Sequence, residues 1–107
     1  MPEKANAEIR GATLRFGTST STDPQAIAAG GSTTVDIEVP GAQTPDMVFV
    51  QPKDGLHGSL GVQRAFVSAD DVVTIRIFNY SGSNVNDNAT DYDYMLVKLD
   101  NANDAVT

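Results

Sequence analysis

The single histidine of the chain, His57, is the first residue to test for chemistry, and it lies in the stretch DGLHGSLG. A nucleophilic site would also need a serine held in a strained turn and a carboxylate that orients the histidine. Ser59 is close in sequence, but it lies in a glycine-rich stretch without a Gly-x-Ser-x-Gly motif. The pattern favours an exposed loop histidine, and we expect no catalytic residue here.

Three glycines in the same region, Gly55, Gly58 and Gly61, have a spacing that suggests a phosphate-binding loop. Such a loop needs a Lys-Ser or Lys-Thr pair after the glycines and a helix whose N–H groups face the anion. Neither follows in this sequence. The glycines therefore predict a flexible turn between two strands.

The stretch NVNDNATDYD, residues 84–93, collects many side-chain oxygen atoms. Calcium binds about six to eight oxygen ligands, so this loop is a candidate cation site. It lacks the central glycine and the final glutamate of an EF-hand loop, and Asn and Asp are common in loops for their local hydrogen bonds. We expect a solvated loop with no metal and no cofactor, and a calcium site remains the alternative.

Paired carboxylates occur at Asp36 and Glu38 on one side of a predicted strand and at Asp70 and Asp71. Two carboxylates can serve a glycosidase, but sugar sites usually add an aromatic platform, and the chain has no tryptophan. No other acid–base machinery is recognisable. We therefore expect a protein that is not an enzyme.

Charge and composition exclude several classes of partner. The chain of 107 residues has fourteen acidic and seven basic residues, a net charge of −7, and no cysteine. Binding to phosphates requires clustered Lys and Arg, so neither nucleic acid nor an anionic membrane is an expected partner. No apolar run approaches the ~20 residues that cross a bilayer, and the polar N-terminus does not resemble a signal peptide. We expect a protein made in a bacterial-type cytoplasm.

Alternation with a period of two predicts β-strands in most of the chain after residue 30. The predicted strands are TTVDIEV, DMVFVQP, LGVQRAFV, VVTIRIFN and YDYMLVKLD, separated by turns rich in Gly, Pro, Asn and Asp. No long helix is predicted. This pattern indicates an all-β fold, an antiparallel β-sandwich or jelly-roll-like domain.

Three parts of the chain are distinguished by composition. Residues 1–30 predict an extended N-terminal arm and loop, because the stretch TSTSTDPQAIAAGGS is low in apolar content and rich in Ser, Thr and Gly; one short strand in GATLRFG and a single helical turn at 24–29 are options. Residues 31–100 form the predicted sandwich. Residues 101–107 predict a flexible C-terminal tail.

Several predicted strands are apolar on both sides, most clearly DMVFVQP and YDYMLVKLD. A sandwich in water usually has one polar face on each sheet. A second apolar side predicts that something covers the outer face. Two candidates could cover this face: the N-terminal arm of the same chain, or a second subunit.

The order of these strands and turns resembles a group of small bacteriophage virion proteins. In that pattern an Asp-Pro-x-x-Ile-x-x-Gly segment leads to a strand that ends in Val-Pro-Gly-Ala. A Gly-Asp-x-Val-x-Val strand follows, and later an Ala-x-Asp-x-Val-x-Val-Arg-x-x-Asn-x-(Ser/Thr)-Gly strand. The matching residues are Asp23, Pro24, Ile27, Gly30, Val39, Pro40, Gly41, Ala42, Asp46, Val48, Val50, Ala69, Asp71, Val73, Ile75, Arg76, Asn79, Ser81 and Gly82. Pro45 stands where glycine is usual.

The resemblance covers about residues 16–99 and implies a capsid decoration (cement) protein. Such a protein would lie on the virion surface, bind the major capsid protein across subunit boundaries and form a homotrimer. Arg10 and Arg15 in the predicted arm are candidates for capsid contact. The candidates for the subunit interface are Phe49, Arg76, Phe78 and Tyr94.

Two other functions remain open at this point. A phage fibre or tail module with the same sandwich would bind a host receptor or glycan through its loops, with 54–59 and 83–91 as the candidate loops. A lectin-like accessory domain of an enzyme would bind a ligand as a monomer.

Overall fold

A computed structural model describes residues 6–9, 11–54 and 56–99, and within these ranges the chain forms strands and turns but no helix. The all-β prediction is confirmed. The strands are β1 (Asn6–Ile9), β2 (Ala12–Thr20), β3 (Ala26–Ile27), β4 (Ser32–Glu38), β5 (Met47–Pro52), β6 (Leu60–Ala69), β7 (Val72–Asn79), β8 (Val85–Asn86) and β9 (Asp91–Leu99).

The described strands form two main sheets with antiparallel pairing throughout. Sheet I has the order β1-β2-β9-β5, and sheet II has the order β4-β7-β6. A short pair, β3 with β8, lies apart from both. Both sheets contribute to one buried cluster, which makes the fold sandwich-like.

The core lies between the sheets and follows the alternation of the sequence. In β7, Val73, Ile75 and Ile77 are buried and the residues between them are partly exposed. Burying one such side chain stabilises the fold by about 1.5–3 kcal/mol. The buried cluster comprises Ile27, Val35, Ile37, Val39, Ala42, Leu60, Val67, Val73, Ile75, Ile77, Val85, Tyr92 and Leu96.

The turn between β6 and β7 shows why the chain reverses at Asp70 and Asp71. Asp71 has φ = 65°, a left-handed conformation that Asp tolerates better than most residues. Its Oδ1 accepts a hydrogen bond from the Gly41 N–H at 2.8 Å, and its backbone pairs with Val39 and Ala42. The turn is therefore fixed to the segment that follows β4.

One polar side chain, Asn79 at the end of β7, is fully buried. Its Nδ2 donates to the carbonyl oxygens of Ile27 at 2.9 Å and Ser83 at 2.8 Å. Its Oδ1 accepts hydrogen bonds from the backbone N–H and the hydroxyl of Ser81. The side chain thus joins β3 and the turn after β7 to sheet II.

The sequence predicted an N-terminal arm and loop for residues 1–30, with a short strand in GATLRFG as an option, and the described part of this segment has a strand there that is longer than expected. Residues 12–20 form a nine-residue strand inside sheet I, between β1 and β9. Several of the Ser and Thr residues that suggested a loop lie on this strand. The hydroxyls of Thr18 and Thr20 donate hydrogen bonds to Asp93 and Asp91 of β9. Sandwich strands therefore begin before residue 31.

The helical turn considered for residues 24–29 is also absent. Gln25 has φ = 63°, and its N–H donates to the Asp23 carboxylate at 2.8 Å, which forms a local turn in place of a helical cap. Two residues of β3 follow and pair with β8. The predicted tail at 101–107 lies outside the described residues.

Tyr92 on β9 is fully buried, and its hydroxyl has no hydrogen-bond partner. Burial raises the pKa of the Tyr92 phenol to about 12, and the negative charge of Asp87 adds to the increase. Below pH 10 this tyrosine is neutral in the folded and the unfolded protein, so it contributes no pH dependence there.

Between pH 10 and 12 the unfolded chain loses the Tyr92 proton and the folded protein retains it. We expect the free energy of unfolding to fall by about 1.4 kcal/mol per pH unit across this window from Tyr92 alone. Urea unfolding of the wild type and of Tyr92→Phe, each measured from pH 8 to pH 12, isolates this effect. At pH 8 the two proteins should differ by less than ~1 kcal/mol, because the phenol donates no bond that phenylalanine would lose. If the free energy of unfolding of the two proteins changed with pH in parallel up to pH 12, folding would not protect the Tyr92 phenol from losing its proton.

Candidate functional site on the outer sheet faces

His57 lies in an exposed turn before β6. Its Nδ1 accepts a hydrogen bond from the Ser59 N–H at 3.1 Å, and its own backbone N–H lies 3.4 Å from Oδ2 of Asp87. Because Nδ1 is an acceptor here, it does not donate to an orienting carboxylate as the Nδ1 of a catalytic triad does. This is the loop histidine that the sequence indicated.

The oxygen-rich stretch at 84–93 is divided between different local contacts. Asn84 Oδ1 accepts from the Ala29 N–H at 3.3 Å, and Asp87 Oδ1 accepts from the Asn88 N–H at 2.9 Å. Asp91 and Asp93 belong to β9 and accept from threonine hydroxyls. Among residues 6–9, 11–54 and 56–99, no three His, Cys, Asp or Glu side chains are grouped to hold a metal ion.

Four of the six large hydrophobic side chains that are exposed in the described residues lie on the outer side of sheet I, and we call this surface the apolar face. The strand register arranges it in cross-strand rows. One row joins Leu14, Val97 and Met47, and the next joins Phe16, Met95 and Phe49. Leu99 extends the face at one end of β9.

Exposure on the apolar face is high for side chains of this type. The exposed fractions are 46% for Phe16, 47% for Met47, 57% for Phe49 and 58% for Leu99. Val97 in the middle is buried but lies outside the core cluster, so its neighbours on the outer face cover it. Contiguous apolar surface of this kind marks an interaction site in soluble proteins.

The apolar face becomes polar toward the start of β9. Asp93 lies in a row between Thr18 and Gln51, and Asp91 pairs with Thr20 one row further. A shallow groove of about 250 Å³ runs between the two regions, lined by Phe49, Val50, Gln51, Asp93, Tyr94 and Met95. The face thus has an apolar centre and a polar edge, the usual anatomy of a protein interface.

A second surface lies on the outer side of sheet II, and we call it the arginine face. It is formed by Arg64 and Phe66 of β6, Arg76 and Phe78 of β7, and Tyr80 after β7. Arg64 and Arg76 are direct cross-strand partners, and Phe66 is the partner of Thr74 in the adjacent row.

Short-range contacts fix the side chains of the arginine face. The Arg64 guanidinium carbon lies 4.5 Å from the centre of the Phe66 ring, a cation–π contact. Arg76 Nη1 donates to Ser32 Oγ at 3.1 Å. The rings of Phe78 and Tyr80 lie 4.7 Å apart, and Tyr80 packs over Gly61, where a Cβ would approach its ring to 2.8 Å.

The predicted interface residues do not form one surface. Phe49 is on the apolar face, and Arg76 and Phe78 are on the arginine face of the other sheet. Tyr94 points inward and packs against the core, and its hydroxyl lies 2.5 Å from where a Cβ of Gly17 would be. The Tyr94 side chain therefore belongs to the inner side of sheet I, and Tyr94 reaches the surface only where it lines the groove.

Of the two arginines predicted for capsid contact, the structure describes only Arg15. Arg10 lies outside the described residues. Arg15 is half-buried on the inner side of β2, and its guanidinium packs under Gly41, which has φ = 89°. The alternation of β2 explains this: Leu14 and Phe16 take the outer side, so Arg15 must point inward. Arg15 is not on the exposed surface that its prediction assumed.

Arg64 and Phe66 were missed at the sequence level. The register of β6 shifts between Val62 and Arg64, an irregularity of the β-bulge type that changes which residues point outward. Simple alternation through LGVQRAFV does not reveal such a shift. The only available signal was the presence of an arginine and an aromatic residue in one predicted strand.

A scan of protein-family models, a search of curated proteins and a search of solved structures each found no match to this chain. Within the described ranges, no helix has the length and apolar character that a membrane span requires.

Proposed function

We propose that this chain is a non-enzymatic bacteriophage capsid decoration (cement) protein. It binds the major capsid protein on the outer surface of the shell, across subunit boundaries, and stabilises the expanded shell. The observation that carries the proposal is the apolar face: a broad sheet surface with four large apolar side chains about half exposed. The sequence resemblance to phage virion proteins supports the choice of partner.

The physical basis of this role is binding to one state of the shell. A protein that binds the expanded shell and not its precursor stabilises the expanded form by mass action. Several simultaneous contacts raise the effective affinity because the second contact forms at high local concentration. In this proposal the apolar face joins copies of the chain in a homotrimer, which leaves the opposite faces for the shell.

Cosedimentation with shells of the phage that encodes the chain tests the proposal. We expect the chain to sediment with expanded shells and not with unexpanded precursors, and to raise the temperature at which expanded shells disrupt. Equal binding to both forms, or binding without any gain in shell stability, would contradict it.

The groove at the edge of the apolar face favours a second candidate, a fibre or tail module that binds a receptor or glycan. It places the Phe49 ring beside the side chains of Gln51 and Asp93, an aromatic surface next to hydrogen-bonding groups. A glycan array followed by NMR titration of any hit tests this candidate. Chemical-shift changes confined to these three residues would support it, and no hit on the array would remove it.

A further inference from the structure

We propose that the arginine face binds an acidic segment of a partner protein, with carboxylates paired to Arg64 and Arg76. This deepens the proposed function, because it names the surface that meets the shell and the chemistry of what it meets. The inference rests on the proposed function for the identity of the partner, and its binding chemistry is tested separately.

The first argument is the position of the two arginines. They are direct cross-strand partners on one face of the sheet. Like charges placed opposite each other on adjacent strands destabilise a sheet unless an opposite charge lies between them. A carboxylate from outside the chain would supply that charge.

The second argument is the absence of an internal counter-ion in the described part of the chain. The only ion pair found there joins Lys98 to Asp46 at 2.7 Å, at a distance from this face. The nearest carboxylate in the register, Asp36, accepts a hydrogen bond from Thr74 at 2.8 Å. In a protein of net charge −7, Arg64 and Arg76 form a local positive site on an acidic surface.

The third argument is that the site is already ordered. Stacking on Phe66 holds Arg64, and the bond to Ser32 holds Arg76, so little side-chain freedom is lost when a ligand binds. Each guanidinium still has donors available, and its planar fork matches a carboxylate in two-point pairing. Arginine beside aromatic rings is also the composition of binding hot spots.

Other charges on the arginine face disfavour the binding of a long polyanion such as a nucleic acid. Asp36 and Glu38 of β4 share the outer side of sheet II with the arginines. A nucleic acid strand laid along the sheet would bring phosphates next to these carboxylates, which costs free energy. A short acidic segment can place its carboxylates at the two arginines without extending along β4, and its apolar residues then lie against Phe66 and Phe78.

An NMR titration of the full chain with two capped peptides tests the binding chemistry. The probe is the peptide GDEFDEG, and its matched neutral peptide is GNQFNQG. We expect the acidic peptide to shift the backbone amides of residues 61–68 and 74–80, and the neutral peptide to have at least about tenfold weaker binding. No shifts with the acidic peptide at millimolar concentration would overturn the proposal, as would tighter binding of a single-stranded DNA oligonucleotide.

The variant Arg64→Gln/Arg76→Gln should weaken binding of the acidic peptide at least about tenfold with an unchanged spectrum elsewhere. The matched control is Lys53→Gln, which removes an exposed positive charge in the turn after β5. The same loss of binding free energy per removed charge in both proteins would mean that net charge alone attracts the peptide, and the proposal would fail.

Shell binding of the same proteins separates this inference from the proposed function. Loss of shell binding in Arg64→Gln/Arg76→Gln, with Lys53→Gln unaffected, supports both. Full shell binding by the arginine variant overturns the inference and leaves the proposed function intact. Peptide binding that depends on the arginines, in a wild type that binds no shell, supports the binding chemistry and overturns the proposed function.

Discussion

Replacement of Asn79 by alanine is expected to lower the free energy of unfolding by roughly 3 kcal/mol. The reason is that alanine removes a buried hydrogen bond to the carbonyl of Ile27 and partly buried hydrogen bonds to the N–H of Ser81 and the carbonyl of Ser83, which also accepts from the Ser81 hydroxyl. An unsatisfied buried group costs more than an average hydrogen bond contributes. Urea unfolding followed by circular dichroism measures the loss.

The control for this experiment is Ser81→Ala, which removes one hydroxyl from the same network and keeps the Asn79 amide in place. We expect it to cost about 1 kcal/mol. Equal losses for Asn79→Ala and Ser81→Ala would show that the amide does not organise this corner of the fold.

Replacement of Phe49 by glutamate is expected to abolish association between copies of the chain, with an association constant at least ~100-fold lower. Phe49 is 57% exposed on β5, the edge strand of the apolar face, so its loss should cost the folded monomer little. A charge placed there would have to be buried without a partner in any interface formed by this face. Light scattering over a range of protein concentrations gives the mass of each variant.

Phe66→Glu is the matched control, because it makes the same substitution at an exposed phenylalanine on the opposite sheet. Its carboxylate would lie next to Arg64. We expect this variant to retain the mass of the wild type. A wild type that is monomeric at all concentrations, or a Phe49→Glu variant that still associates, would contradict the assignment of the apolar face.

The strands that could be predicted from the sequence are those in which alternation and turn residues agree. VVTIRIFN is the clearest case: Val73, Ile75 and Ile77 form the buried side of β7, and the Asp-Asp pair before the strand forms the turn. The apolar outer sides of β5 and β9 were also predicted, and Met47, Phe49 and Leu99 are exposed there.

The second part of β2, after the short strand considered in GATLRFG, could not be predicted because its pairing depends on a distant strand. The segment TSTST has no apolar residues, so local patterning suggests a loop. In the sheet, the hydroxyls of Thr18 and Thr20 meet carboxylates of β9, more than seventy residues further along the chain. Once this segment is a strand of sheet I, it lies beside β9 and does not cover its outer face.

The order of strands in sheet I has a consequence for how the chain folds. Residue 12 pairs with residue 99, and residue 47 pairs with residue 97, so this sheet is built from contacts that close very long loops. The β6–β7 pair is different, because a tight turn joins its strands. Non-local pairing slows folding, since chain entropy must be lost before the contacts form. We therefore expect refolding to begin at β6–β7 and sheet I to close last, on a time scale of about milliseconds to seconds.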